Sequence, residues 1–239
     1  MKTKIVAIVP AAGLGKRFSN TLRKPFAKVA DIPLLIYTLK RLHQAKSITE
    51  IIPVLRKEDM SRGLELIESY GLEKIKQIAS GGKERQDSVY NALKLVKAGA
   101  ARSRDDCLIF IHDGVRPLVS AKLIQELLKG IKGVDGVVPG LSVKETLKKV
   151  NTKGFVISTV NRKVLWTVQT PQVFPFKVIK RAYDRACKDG FHATDDAALV
   201  ERIGGRVKTI KGDPYNIKVT TPEDMDMVEY LLAKKIVSN

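Results

Sequence analysis

Apolar and polar residues along the chain fall into two alternating periods. Lys4–Val9 (KIVAIV) is a short β-branched run and reads as a fully buried strand. A loop from Pro10 to about Pro33 follows, and the apolar spacing of Leu34–Ala45 predicts a helix lying on a sheet. The next pairs are strand Glu50–Leu55 with helix Glu58–Tyr70, stopped by Gly71, and strand Ile75–Ala79 with helix Arg85–Ala98. Cys107–Ile111 with Ala121–Lys132 repeats the unit, and Gly133–Pro139 is a further strand. Strands alternating with amphipathic helices imply right-handed βαβ units, hence an α/β fold with a Rossmann-like, mainly parallel sheet.

The period changes after Pro139. Leu141–Trp166 alternates polar and apolar residues around the turn Asn151-Thr152-Lys153-Gly154, which predicts a β-hairpin. The hairpin is either an arm projecting from the body or an antiparallel edge on the same sheet. Helical pattern returns at Pro175–Lys188 and Asp195–Ile203. A strand at Arg206–Ile210, a short strand carrying Lys218 and a helix from Pro222 complete the reading. With no repeat or low-complexity linker, residues 1–239 read as one domain, with 140–166 as the arm.

Composition narrows the class. Of the 239 residues 44% are hydrophobic and 28% charged, the balance of an ordinary globular chain. No run of 18 apolar residues exists, so no transmembrane helix and no membrane partner is expected. Ile5–Val9 is too short for a signal-peptide core. Two cysteines, Cys107 and Cys187, without metal-ligand spacing argue against disulfides and structural zinc and for a reduced, cytoplasmic setting. The net charge of +18 raises the prior for an anionic partner, and residues 1–50 carry 10 Lys/Arg against 2 Asp/Glu. A nucleic-acid reading module is absent from the pattern, so a basic nucleic-acid-binding protein is the distant alternative.

Ligands of such sheets sit beyond the C-terminal strand ends, which directs attention to the loops. The first, Pro10-Ala11-Ala12-Gly13-Leu14-Gly15-Lys16-Arg17, matches neither the P-loop nor the dinucleotide fingerprint. Small residues followed by cations, then Arg23-Lys24-Pro25, suit a triphosphate held by backbone N–H groups and neutralised by Arg17 and Lys24. They also suit a plain tight turn. In the second loop, Gly81-Gly82 permits close approach to a planar base, and Asp87 or Ser88 could bond it or merely begin a helix. In the third, Asp113 at a strand tip is poised for Mg²⁺ and Arg116 for a phosphate or carboxylate, unless the two only pair in a turn. His112 reads as structural.

The ordered set PAAGLGKRF, RKPF, GGKERQDSV, HDGVRP, TPQVF, TDDAALVE and NIKVTTPED closely resembles the 2-C-methyl-D-erythritol 4-phosphate cytidylyltransferases of the non-mevalonate isoprenoid pathway. The resemblance runs from about residue 4 to 232. It implies a nucleotide-diphospho-sugar transferase type of fold and transfer of CMP from CTP to a polyol phosphate with Mg²⁺. It places Ala11, Ala12, Gly13 and Gly15 at the CTP site, Gly82 and Ser88 on the cytidine, and Asp113 on the metal. Arg17 and Lys24 match catalytic cations, with Lys218 at the substrate end. Thr146, Arg162, Thr170 and Thr194 match substrate-side contacts, Arg162 reaching across a homodimer with exchanged arms. Here HDGVRP replaces the common HDAARP, Arg23-Lys24-Pro25 replaces PKQ, and Asn161 precedes Arg162. The related ribitol 5-phosphate cytidylyltransferases share the loops and are the alternative.

Overall fold

The computed structural model describes residues 3–13, 23–97, 106–234 and 236. In chain order the elements are β1 (Lys4–Pro10), β2 (Lys28–Val29), β3 (Ile32–Pro33), α1 (Leu34–Gln44), β4 (Glu50–Leu55) and α2 (Met60–Ser69). Next come β5 (Ala79–Ser80), α3 (Arg85–Leu95), β6 (Cys107–Ile111), α4 (Ala121–Gly130) and β7 (Gly136–Ser142). Then follow β8 (Leu147–Val150), β9 (Val156–Val160), β10 (Trp166–Val168), β11 (Gln172–Pro175), α5 (Phe176–Asp189), α6 (Asp196–Arg202), β12 (Val207–Lys211) and α7 (Pro222–Ala233).

The main sheet runs β10-β7-β11-β6-β1-β4-β5, with β12 also paired to β7. β1 is parallel to β4 and β6, and β11 is inserted antiparallel between β6 and β7. Consecutive residues of β1 face opposite layers. Ala7 and Val9 pack with Leu35, Leu39, Leu123 and Leu127 of α1 and α4, while Val6 and Ile8 pack with Val89, Ile179 and Tyr183 of α3 and α5. A strand covered on both faces must be apolar throughout, which is why KIVAIV lacks alternation. α7 closes a third, smaller cluster with Leu34, Leu118 and Val219.

Several expected boundaries move. The Ile75–Ala79 strand is reduced to one bridge, Ile51 with Ile75, and the two residues of β5. Between them Gln77 turns its amide to Glu50 and to the Leu95 carbonyl, so this edge is short, as exposed edges commonly are. α4 stops at Gly130, where an added Cβ would press on Val137 and Ile210, and a turn with Gly133 at φ +75° delays β7 to Gly136. Lys218 lies in a loop rather than a strand, tied to the body by the Val219 N–H donating to the Val115 carbonyl.

The hairpin resolves as a projecting arm. β8 and β9 pair with each other and with no other strand among the described residues. Phe155, Val156, Ile157 and Val164 are exposed on it. Its ends are more body-like than the 140–166 boundary implied, because Gly140–Ser142 and Trp166–Val168 pair as part of the main sheet. The Val143 N–H to Leu165 carbonyl bond marks the base of the arm.

Gly136 lies where a Cβ would fall 2.7 Å from the Phe174 ring. Gly136→Ala should cost about 1–3 kcal/mol in urea unfolding through overpacking between β7 and β11.

Candidate active site

A cleft of about 640 Å³ opens where the C-terminal ends of β1, β4, β5 and β6 converge. The strand order reverses between β1 and β6, which leaves a crevice at their tips. Its walls include Ala11, Ala12, Gly13, Lys24, Gly82, Ser88, Asp113 and Lys218, so the structure brings together eight residues singled out from the sequence. Arg17 and Gly15 lie outside the described residues.

The loops are locked to one another by backbone bonds. The Ala11 N–H donates to the Val54 carbonyl, Gly81 to Leu55 and Gly114 to Pro10. A Cβ on Gly81 would stand 2.4 Å from the Ala12 methyl, and one on Gly114 would stand 2.9 Å from the Ala11 methyl. Glycine at 81 is thus needed for loop-to-loop packing. Lys24 enters the wall from a 3-10 turn, Lys24–Phe26, whose neighbour Arg23 is pinned by Asp59.

Asp113 is the centre of charge. Its Oδ1 lies 3.2 Å from Arg85 Nε, and its Oδ2 lies 2.9 Å from Lys218 Nζ and 3.5 Å from Arg116 Nε. Burial opposes its ionisation, but Arg85, Lys218 and Arg116 outweigh that and hold the carboxyl well below the usual carboxylate range. Burial likewise opposes the Arg85 charge, and Asp196 and Asp113 overcome it. Lys24, Arg56, Lys83, Arg85 and Lys218 face the cleft against Asp113 and Glu84, an excess of positive charge that suits a polyphosphate.

Among the described residues no group of three or more His, Cys, Asp or Glu could cage a metal. A single carboxylate whose neighbours favour its ionised form does fit Mg²⁺, which retains waters and takes further oxygens from phosphates.

Three of the expected contact residues bond within the protein, and a fourth lies off the cleft. Asp87 caps α3, its Oδ2 accepting from the Glu84 N–H at 2.9 Å. Arg116 is buried, donating from Nη1 to the Asn216 carbonyl at 2.8 Å, and braces the 113–117 loop from behind. Thr170 is buried too: its Oγ1 accepts from the Asp113 N–H and meets His112 Nδ1, both at 3.0 Å. Burial brings the His112 pKa down to about 4, and the ring's other nitrogen, Nε2, meets the Arg116 carbonyl at 3.1 Å. Thr194 is exposed ahead of α6 and does not line the cleft. Ser88 does line it, but its Oγ accepts from the Gly82 N–H and donates to the Glu84 carbonyl, each at 3.0 Å. Thr146 and Arg162 sit exposed on the arm, away from this cleft.

The sequence reading missed Arg56, Lys83 and Arg85, which line the cleft, and Asp196, which backs it. Arg85 carried a signal: it is the first residue of a helix that begins directly after a Gly-Gly loop at a strand tip.

A small-residue loop and a ring of cations at the switch point of a doubly wound sheet define a nucleotide-binding transferase. The sequence profile of the 2-C-methyl-D-erythritol 4-phosphate cytidylyltransferase family matches residues 5–234. The protein of that name from Dictyoglomus thermophilum is 43% identical over 233 residues, 97% of each chain. That from Syntrophus aciditrophicus is 40% identical over 236 residues, 98% of each. The crystal structure of 4-diphosphocytidyl-2C-methyl-D-erythritol synthase from Anaerococcus prevotii matches with a TM-score of 0.82 at 31% identity, covering 97% of each chain. The chain belongs to the 2-C-methyl-D-erythritol 4-phosphate cytidylyltransferase family.

If Arg116 braces the loop, Arg116→Met should lower the unfolding free energy by about 3 kcal/mol, since it strips a buried ion pair of one partner. A substrate contact would instead raise KM and leave urea unfolding within about 0.5 kcal/mol of wild type.

Proposed function

We propose that the cleft transfers CMP from CTP to 2-C-methyl-D-erythritol 4-phosphate and releases pyrophosphate. A phosphate oxygen of the acceptor attacks the α-phosphorus in line, and the bond from that phosphorus to the bridging oxygen of pyrophosphate breaks. The acceptor phosphate is already ionised, so no general base is required, in keeping with a cleft whose charged lining residues are mostly cations. The obstacle is the meeting of two anions, and catalysis is then charge neutralisation and positioning.

The observation that carries this reading is the ring of cations around one buried carboxylate, in a chain of this family. Backbone N–H groups of Ala12 and Gly13 face the triphosphate, Lys24 and Arg17 neutralise it, and Lys218 receives the acceptor phosphate. Mg²⁺, when held by Asp113 and the CTP phosphates, supplies further neutralisation of the phosphate oxygens. The family favours methylerythritol phosphate over the ribitol phosphate alternative. Both cysteines are free, Cys107 buried and Cys187 exposed, consistent with the reducing cytoplasm.

The acceptor side draws on a second copy of the chain. An arm that pairs with nothing else among the described residues and exposes Phe155, Ile157 and Val164 supports exchange between two subunits. Thr146 and Arg162 would then complete the partner's cleft.

Pyrophosphate release from CTP and Mg²⁺, with methylerythritol 4-phosphate and ribitol 5-phosphate run in parallel, should occur with the former; release with ribitol phosphate alone would refute the acceptor assignment. In the same assay Lys24→Ala should lower kcat about 10²–10³-fold. Its unfolding free energy should stay within about 0.5 kcal/mol of wild type. Ile157→Lys on the arm should yield monomers in sedimentation, with turnover lost and the rise in Tm on adding CTP and Mg²⁺ retained.

A further inference from the structure

Behind the cleft lie two buried polar residues that the proposed reaction does not use. Tyr183 in α5 and Asp196 in α6 are each 1% exposed, and the tyrosine hydroxyl donates to Asp196 Oδ1. The two Asp196 oxygens accept from both terminal nitrogens of Arg85, at 3.1 and 2.8 Å, in a forked pair. Arg85 then presents its third nitrogen, Nε, to Asp113 Oδ1 at 3.2 Å. One edge of the guanidinium is thus fixed by a carboxylate sealed from water, and the other holds the carboxylate at the centre of the cleft.

A packed apolar cluster would serve stability at least as well as the Asp196 carboxylate, which is desolvated in full to meet a half-buried Arg85. The surroundings of Asp196 are moreover braced. Asp195 caps α6 through the Ala198 N–H at 3.0 Å and accepts from Gln172 Nε2 at 2.7 Å. Gln172 Oε1 in turn accepts from the Ala197 N–H at 3.0 Å. The Tyr183 ring stacks on Tyr90, which limits how its hydroxyl can move. Every link from α5 and α6 toward the cleft therefore has a defined direction, and it ends on the group that also meets Lys218 at 2.9 Å.

The geometry points to Arg85 as a positioning residue: Asp196, backed by Tyr183, fixes the guanidinium plane, and the guanidinium fixes the orientation of Asp113 for transfer. This rests on the reading of the cleft as a cytidylyltransferase site. A lysine at position 85 keeps the charge but cannot make the fork and the third contact together.

The test compares Tyr183→Phe, Asp196→Asn and Arg85→Lys, in steady-state kinetics and in nitrogen-15 NMR of the arginine side chains. Asp196→Asn should lower kcat about tenfold or more with KM for CTP nearly unchanged. Arg85→Lys should not restore wild-type kcat, although it retains the cation. Tyr183→Phe should lower kcat less, leave Tm near wild type, and add nothing further on top of Asp196→Asn. A protected Nε–H resonance, assigned to Arg85 by its absence in Arg85→Lys, should be sharp in wild type and broaden in Asp196→Asn. Unchanged kcat in both Asp196→Asn and Tyr183→Phe, or full activity in Arg85→Lys, would overturn the proposal. So would kcat losses that merely follow losses of Tm. Should the wild-type chain release no pyrophosphate, the functional reading falls, and the NMR signal alone decides the linkage. Its persistence in Asp196→Asn then overturns the linkage, and its loss sustains it.

Discussion

The organisation of the cleft depends on keeping the Asp113 carboxylate ionised while it is buried. In isolation that charge would be costly to desolvate, and only the cations around it make it tolerable. Arg85, Arg116 and Lys218 come from three separate loops or element ends, so ionising Asp113 draws the tips of β5, β6 and the 213–219 loop together. The same arrangement leaves positive charge in excess, and a polyphosphate is the ligand that such an excess selects. Structure and chemistry here are one electrostatic problem, solved once for the fold and again for the substrate.

The scaffold that allows this is legible in the sequence to a large degree. Buried parallel strands announce themselves as unbroken β-branched runs, as in KIVAIV and CLIFI, and the helices between them show through their apolar stripes. The edges are less legible. The polar interior of Ile75–Ala79 gives no hint that Gln77 leaves the ladder to bond Glu50, because that choice is made by α3 and β4, not by local propensity. Nor does the pattern around Lys218 separate a strand from an extended loop held by one backbone bond.

The site divides in the same way. Residues whose position is set by their loop, such as Ala11, Gly13, Lys24 and Asp113, line the cleft that the order of motifs points to. Those whose role is set by partners distant in the chain could not. Arg116 and Thr170 sit within or next to recognisable motifs, yet their side chains turn inward to Asn216, His112 and the Asp113 backbone. Asp196 stands 111 positions from Arg85 and only the folded topology pairs them. An arginine in a functional loop reads as a ligand contact until its burial is known.

The interlocked loops carry a consequence for how such a site can diversify. Ala12 faces Gly81, and Ala11 faces Gly114, at distances that leave no room for one more methyl group. Enlarging either member of a pair requires the other loop to shift or shrink in the same lineage. Positions 12 and 81, and positions 11 and 114, therefore form two coupled pairs rather than four independent choices. New specificities are more accessible through side chains on the arm, whose strands pair with no other among the described residues, than through the loops that line the cleft.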